Sequence, residues 1–306
     1  MKEKLNLKSN IIALPAALLC VMLWGTAFPL IKLGYARFAV EQGDIGSKLL
    51  FAGIRFTLAG ILVYIFGLLA RKKAPNPRRS DILPIAALGV VQTTLQYLFA
   101  YIGVGLTTAT NTSILTGTAS IFSVVLAAVF FKDDRMTALK TLGCIAGLGG
   151  IVLVNAADFS LNSAYFLGDI IVLLSALSGA GGNIITKKIS PNRDPVTVTA
   201  WQLVIGGVIL IISGIILGGN IDIFNYGGMI ILLWLSLVSA VSFLLWTALL
   251  RYHPVSKISV FTMLVPVFGA VWSWILLGEN AFGAQTLIPL ALIAAGIVLV
   301  NIKVIK

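Results

Sequence analysis

The chain has 306 residues, of which 58% are hydrophobic and 11% charged, with a mean hydropathy of +1.02. A soluble domain of this size cannot hide so much apolar surface, so the composition excludes an ordinary globular enzyme and implies an integral membrane protein. The net charge of +11 does not point to nucleic acid, because the basic residues sit between apolar runs, where they report membrane topology.

A helix needs about 20 apolar residues to cross the hydrocarbon core. Ten candidate spans follow in chain order, near 12–34, 48–70, 82–103, 108–131, 138–156, 166–186, 196–217, 228–250, 257–277 and 284–303. The short alternating segments of a β-barrel are absent. The first run is too long for a cleavable signal peptide and lacks a small-residue cleavage site, so it is expected to remain as a span. Cys20 and Cys144 lie inside apolar runs and read as small buried hydrophobes, with no disulfide or metal site. With the N-terminus inside, the cytoplasmic segments hold 18 Lys and Arg residues, against Arg37 and Lys48 in the outer loops. That asymmetry predicts cytoplasmic termini and a multi-pass protein of the cell membrane.

The run GIVLVN occurs twice, beginning at Gly150 and at Gly296, 146 positions apart. Under the same shift, residues 105–155 align on 251–301 without a gap, so Ser113 meets Ser259, Thr116 meets Thr262 and Asp133 meets Glu279. Five spans per half is an odd number, so the second half must enter the membrane from the opposite side. The expected architecture is all-α, with ten transmembrane helices in two inverted five-helix repeats, 1–156 and 157–306, forming one membrane domain. Inverted repeats are a recurring device of secondary transporters, which hold substrate near the midplane.

At this point the chain resembles a family. WGTAFPLIK at 24–32, IRF at 54–56, Pro266 in the ninth span and LLGE at 276–279 before a Gly-rich closing helix are similar to the EamA family of the drug/metabolite transporter superfamily. The resemblance covers nearly the whole chain. It implies carriage of small organic solutes, often export of amino acids or related metabolites. It also implies a central cavity among spans 1–4 and 6–9, with spans 5 and 10 behind. Ser120 and Ser178 stand where the family often has Pro and Trp, a departure that bears on cavity shape.

Polar side chains within spans tend to face the bundle or a wet cavity. Ser113, Thr116 and Ser120 recur at i, i+3 and i+7, one helical face, and Ser259, Thr262 and Pro266 repeat it in the ninth span. Thr93, Gln96 and Ala100 share a face in the third span, and their partners in the eighth are Ser239, Ser242 and Trp246. Helix–helix hydrogen bonding is the alternative reading of such faces. Gln92, Tyr97, Tyr101, Asn183 and Gln202 add donors and acceptors, and Trp24, Trp201 and Trp246 add flat apolar surface; together they suit an amphipathic solute. Arg55 lies about two turns into its span, where an isolated arginine costs at least ~2.5 kcal/mol. It reads either as a binding group for an anion or carboxylate or as a residue that reaches the surface or loop carbonyls. Lys32 is expected to snorkel. Pro29, Gly181, Gly182 and Pro266 are the candidate hinge or gate positions, and close packing is the plainer reading of the glycines. Gly143, Gly147 and Gly150 suit close helix contact, within the chain or with another copy.

The eleven acidic residues lie at termini, in loops or at helix ends, and Asp81 and Asp169 read as helix caps. Without an embedded carboxylate, facilitated diffusion or exchange is expected in preference to proton coupling. There is no HExxH, Walker loop or plausible hydrolase triad, so no enzyme activity, metal or cofactor is expected. The substrate-binding set is therefore Trp24, Arg55, Gln92, Gln96, Tyr97, Tyr101, Ser113, Thr116, Asn183, Gln202, Ser242, Trp246 and Thr262. The expected function is a secondary transporter, exporter or facilitative carrier, working by alternating access. Its partners are a small-molecule substrate and the lipid bilayer, with no nucleic acid, and it works as a monomer or homodimer. A lipid carrier or flippase, or a proton-coupled multidrug exporter, is the alternative.

Overall fold

The computed structural model describes residues 7–41, 43–72, 74–107, 109–154, 165–278 and 287–302. Among them the secondary structure is entirely helical. The helices are α1 (Asn10–Arg37), α2 (Ile45–Arg71), α3 (Arg79–Leu88), α4 (Gln96–Leu106), α5 (Ala109–Phe130) and α6 (Ala138–Val154). They continue as α7 (Phe166–Ile189), α8 (Pro195–Ile216), α9 (Tyr226–Tyr252), α10 (Val255–Ser259), α11 (Val265–Leu277) and α12 (Leu287–Asn301). Among the described residues, seven helical stretches are long and apolar enough to cross a membrane, and three shorter apolar helices accompany them.

Local chemistry sets the ends. Ser9, Asp44, Asp194 and Asn225 each cap a helix by accepting from a backbone N–H in its first turn. Asp194 is followed by Pro195, which needs no hydrogen-bond partner at that position. Gly278 closes α11 in the left-handed region, φ 69°, with its N–H on the Trp274 carbonyl at 3.0 Å. Asp81 caps α3 as expected, accepting from the Arg78 N–H at 3.3 Å, and also binds Arg193 Nε at 2.8 Å. Asp169 sits in the first turn of α7 and accepts from the Thr107 hydroxyl at 2.5 Å.

Besides the short 3-10 turn Ser190–Asn192 that follows α7, two stretches among the described residues leave regular α geometry. Gly89–Leu95 forms a π-helix between α3 and α4, and Val260–Leu264 forms a 3-10 turn between α10 and α11. Pro266 follows that turn in the first residues of α11, where its missing N–H does the least harm. Pro29, by contrast, lies inside α1, which runs unbroken past it.

The most extensive packing is α2 on α8 and α6 on α12; α5 packs on α7, α1 on α11, α4 on α7 and α1 on α9. Glycines bring α2 and α8 to backbone contact. A Cβ at Gly53 would lie 2.6 Å from Ile211 N, at Gly60 2.6 Å from the Ala200 carbonyl, and at Gly207 2.6 Å from Thr57 N. Gly143 of α6 meets the Gly296 carbonyl of α12 in the same way, at 2.7 Å, so this glycine serves contact within the chain. One core cluster joins Ala13, Ala17, Trp246, Leu249 and Met263, and a second joins Leu49, Phe56, Leu203 and Phe243. An apolar groove lined by Leu62, Phe66, Leu237, Val241 and Leu244 opens between α2 and α9.

Candidate substrate site

A polar centre forms around Asn183 of α7. Its Oδ1 accepts from Trp246 Nε1 at 3.0 Å and from Gln92 Nε2 at 3.4 Å. Its Nδ2 donates to the hydroxyls of Ser123, at 3.1 Å, and Ser259, at 3.3 Å. Indole nitrogen can only donate, so Trp246 fixes which way the amide faces, and both of its donors and its acceptor are used. One side chain thus ties α7 to the π-helix, α9, α5 and α10.

The π-helix supplies Gln92, Thr93 and Thr94, all buried. Thr93 donates to Gln202 Oε1 at 3.0 Å, and Thr94 donates to the Gly206 carbonyl at 3.2 Å. The Gln202 Nε2 is buried with no partner among the described residues. Such an irregular turn redirects side chains that a straight α-helix would aim elsewhere, and π segments are common at functional sites. Gly182 and Gly179 pack where Gln92 and Gln96 pass, with a Cβ at Gly182 only 2.5 Å from Gln92; a Cβ at Gly181 would make only ordinary contact, 3.6 Å from Val91.

Aromatic rings line the next layer. Trp24 stacks obliquely on Trp246, centroids 4.8 Å apart, and meets Phe243 edge-on at 5.6 Å. Phe56 and Tyr97 are 4.4 Å apart, and Tyr97 and Tyr101 are 6.4 Å apart. Trp24 Nε1 is buried without a partner among the described residues.

Arg55 lies in this aromatic layer and is 2% exposed. Its Nε donates to the Ser239 hydroxyl at 2.9 Å, and its guanidinium stands 5.0 Å from the Phe56 ring centroid. Tyr35, Tyr97 and Tyr101 all lie within electrostatic range of it. The Tyr35 hydroxyl is buried beside Tyr101 and makes no well-aligned hydrogen bond among the described residues. Arg55 therefore does not snorkel: it points inward, to Ser239. Lys32 is exposed, as snorkelling requires.

Other candidates stand apart from these two centres. Ser242 is fully buried, but its hydroxyl donates to the Val238 carbonyl at 2.6 Å within its own helix. Thr262 likewise donates to the Ser259 carbonyl at 2.7 Å, and Ser120 to the Gly117 carbonyl at 2.8 Å. Gln96 is half-buried, and its backbone carbonyl accepts from Ser175 at 2.7 Å. Thr116 is exposed, and the Ser113 side chain lies outside the described residues. Trp201 donates to the Pro75 carbonyl at 3.0 Å, a loop anchor.

The two ends of the bundle differ. Where the N-terminal residues lie, Asp134 is 3% exposed and accepts from Lys140 Nζ at 2.5 Å, from Ser256 N at 2.9 Å and from the Ser256 hydroxyl. Lys187 Nζ donates to the His253 carbonyl at 2.9 Å, and His253 Nε2 lies 2.7 Å from the Leu7 carbonyl. At the opposite end the halves meet through Ser47 on the Asn220 carbonyl, at 2.9 Å, and Asn225 on the Arg37 carbonyl, at 2.6 Å. Burial follows the same contrast. Val255, Ser256, Ile258 and Ser259 of α10 are buried, while Gly269 alone is buried in α11.

Sequence reasoning missed Ser123, Tyr35 and Asp134. A buried serine and a helix-bonding serine look alike in a sequence, and a loop aspartate shows no sign of its partner across the fold.

A helical bundle with a buried polar and aromatic middle suits solute transport, and the comparisons agree. The model of the EamA-like transporter family matches residues 11–156 and again 166–302. The uncharacterized transporter YvbV of Bacillus subtilis is 32% identical over 289 residues, covering 92% of this chain and 89% of that protein. A Salmonella typhimurium protein named as a probable amino-acid metabolite efflux pump is 28% identical and covers 92% of each chain. A crystal structure with a TM-score of 0.81 and 17% identity, covering 96% of this chain and 97% of that one, shares the fold. With its family matched twice along nearly its whole length, and with helices fit to cross a bilayer many times, the chain is a multi-pass membrane protein of the EamA-like transporter family.

Proposed function

We propose that the protein is a secondary transporter that moves small organic metabolites such as amino acids across the cell membrane by alternating access. Its frame is ten spans in two inverted halves, 1–156 and 157–306, with both termini cytoplasmic. The observation that carries the reading is the buried polar and aromatic centre, assembled from α1, α2, α4 and the π-helix of one half and α7, α8 and α9 of the other. Ligand sites in such transporters lie at the interface of the repeats.

The packing pattern supports the inverted halves. Exchanging the halves turns the α5–α7 pair into α11–α1 and the α4–α7 pair into α9–α1, and leaves α2–α8 and α6–α12 unchanged. The two separate family matches support the same division.

The contrast between the ends supports alternating access. The Asp134–Ser256 and Lys187–His253–Leu7 links close the end assigned to the cytoplasm. The loosely packed α11, exposed Thr116 and half-buried Gln96, Tyr97 and Tyr101 give the outer half room to admit a solute. Pro29, Gly181, Gly182 and Pro266 are the positions assigned to gating. With no acidic residue mid-span, the gradient of the substrate or of an exchanged solute is the expected driving force, in preference to proton coupling.

The test is counterflow of labelled amino acids into liposomes containing the purified protein, with and without a pH gradient. Saturable flux that ignores the pH gradient is expected. Absence of saturable flux for every amino acid and related metabolite would refute the assignment.

A further inference from the structure

We propose that Arg55 is a carboxylate trap, which restricts the substrates of this transporter to solutes bearing one carboxylate next to an apolar or aromatic group. This rests on the transport reading above and adds the chemistry by which the site selects.

Arg55 is buried, and among the described residues no carboxylate pairs with it; its one hydrogen bond is Nε to the neutral Ser239 hydroxyl. Its two terminal nitrogens make no hydrogen bond among the described residues. A buried cation without a counter-charge is strongly unfavourable, so the site gains most from a ligand that brings a negative charge. The planar fork of terminal N–H groups matches a carboxylate in two parallel hydrogen bonds. The Tyr35 hydroxyl, buried beside Tyr101 without a well-aligned hydrogen bond among the described residues, lies in the same place.

Two features narrow the class. Lys48, two turns before Arg55 on the same helix, holds its ammonium 5.8 Å from the Tyr35 ring and interacts with Asp44, so its charge is already engaged and Arg55 supplies the charge for the ligand. One positive charge balances a monoanion; a phosphate dianion would remain half uncompensated. Phe56, Tyr97, Phe243 and Trp24 then present rings to the rest of the solute. Among the described residues no acidic side chain pairs with this centre, so it offers nothing to an amine alone.

The experiment uses the full-length purified protein and three matched sets: leucine, phenylalanine and tryptophan, each with its deaminated acid and its decarboxylated amine. Inorganic phosphate is the control. Ligand binding to the folded state raises the unfolding temperature, so that shift is read alongside counterflow. At least one amino acid or deaminated acid is expected to stabilise and exchange, while its amine and phosphate do not. Arg55→Gln is expected to weaken apparent affinity roughly 10- to 100-fold, and Arg55→Lys, which keeps the charge and guards against misfolding, to retain the preference for carboxylates. Equal stabilisation by amines or phosphate, or by no carboxylate at all, overturns the proposal. Carboxylates that bind but do not cross would leave it standing and refute the transport reading instead.

Discussion

Arg55 and Ser239 form a directed pair across α2 and α9: the guanidinium Nε donates to the Ser239 hydroxyl at 2.9 Å, and that hydroxyl donates onward to the Leu235 carbonyl at 2.9 Å. Serine fits because its one oxygen both accepts and donates. Ser239→Ala removes the only hydrogen-bond acceptor that Arg55 has among the described residues. It should destabilise the protein by about 1–3 kcal/mol. A lowered unfolding temperature in detergent is the check, and an unchanged value would mean that the pair contributes nothing.

Asn183 carries four hydrogen bonds to four elements. Asn183→Leu keeps the branched outline of the side chain but leaves the Trp246 indole and the Gln92 amide without their acceptor. The expected loss is at least ~2 kcal/mol, since each buried orphan costs about 1–3 kcal/mol. The Trp246→Phe, Asn183→Leu double variant should recover part of that loss, because the indole donor is then gone too. Additive losses in the double variant would show that the two side chains are not coupled.

Glycines that look equal in sequence should behave oppositely. Gly207→Ala drives a Cβ to 2.6 Å from Thr57 N and should sharply lower the yield of folded protein. Gly181→Ala meets nothing nearer than 3.6 Å and should be neutral or stabilising by up to ~1 kcal/mol, because alanine restricts the unfolded chain. Expression and thermal unfolding measure both. If Gly181→Ala folds normally yet slows exchange, position 181 bends during transport.

Acid should weaken the end that His253 holds. Burial of its ring, with smaller contributions from Lys257 and Lys187, pushes its imidazole below the ordinary value of 6.5 against the opposing pull of the Leu7 carbonyl. The unfolded chain then takes up a proton at a pH where the folded one does not. The contribution is present above pH 6.5 and is lost as the pH falls through the folded value. His253→Gln, which can still donate to Leu7, should flatten the decline in unfolding temperature below pH 6.5. An identical pH profile in the variant would assign the decline to other groups.

Asp134→Ala should loosen the same end. It removes the acceptor for Lys140 and for both the backbone and hydroxyl of Ser256. A cysteine placed at Ser259, buried in the wild type, should then react faster with a thiol reagent applied from the side on which Asp134 lies. No change in labelling would separate Asp134 from closure of that end.

The apolar runs were legible because helix-length hydrophobic stretches bounded by charge have few other uses. Arg55 was legible as an expensive residue, although whether it turned inward or outward was not. The π-helix at Gly89–Leu95 was invisible, since its residues continue the surrounding apolar pattern without a proline or a turn signal. On the face drawn through Ser113, Thr116 and Ser120, Ser120 is fully buried and bonded to its own helix, while Thr116 is exposed. Spacing puts side chains on one face but does not say what lies opposite, and that decides whether a hydroxyl serves its helix, its neighbour or a solute. Asn183 was named as one donor among several, and its central position came from four partners spread over 168 residues, Gln92 to Ser259.

The glycine contacts between α2 and α8 have a mechanical consequence. Helices that touch through long side chains can slide as rotamers change, but backbone against backbone leaves no slack. The α2–α8 pair is therefore held close along its length, and in the transport cycle proposed above any rocking falls to the helices arranged around it, α1, α5, α7 and α11. Bulkier residues at these glycines would not free the pair; they would force it apart.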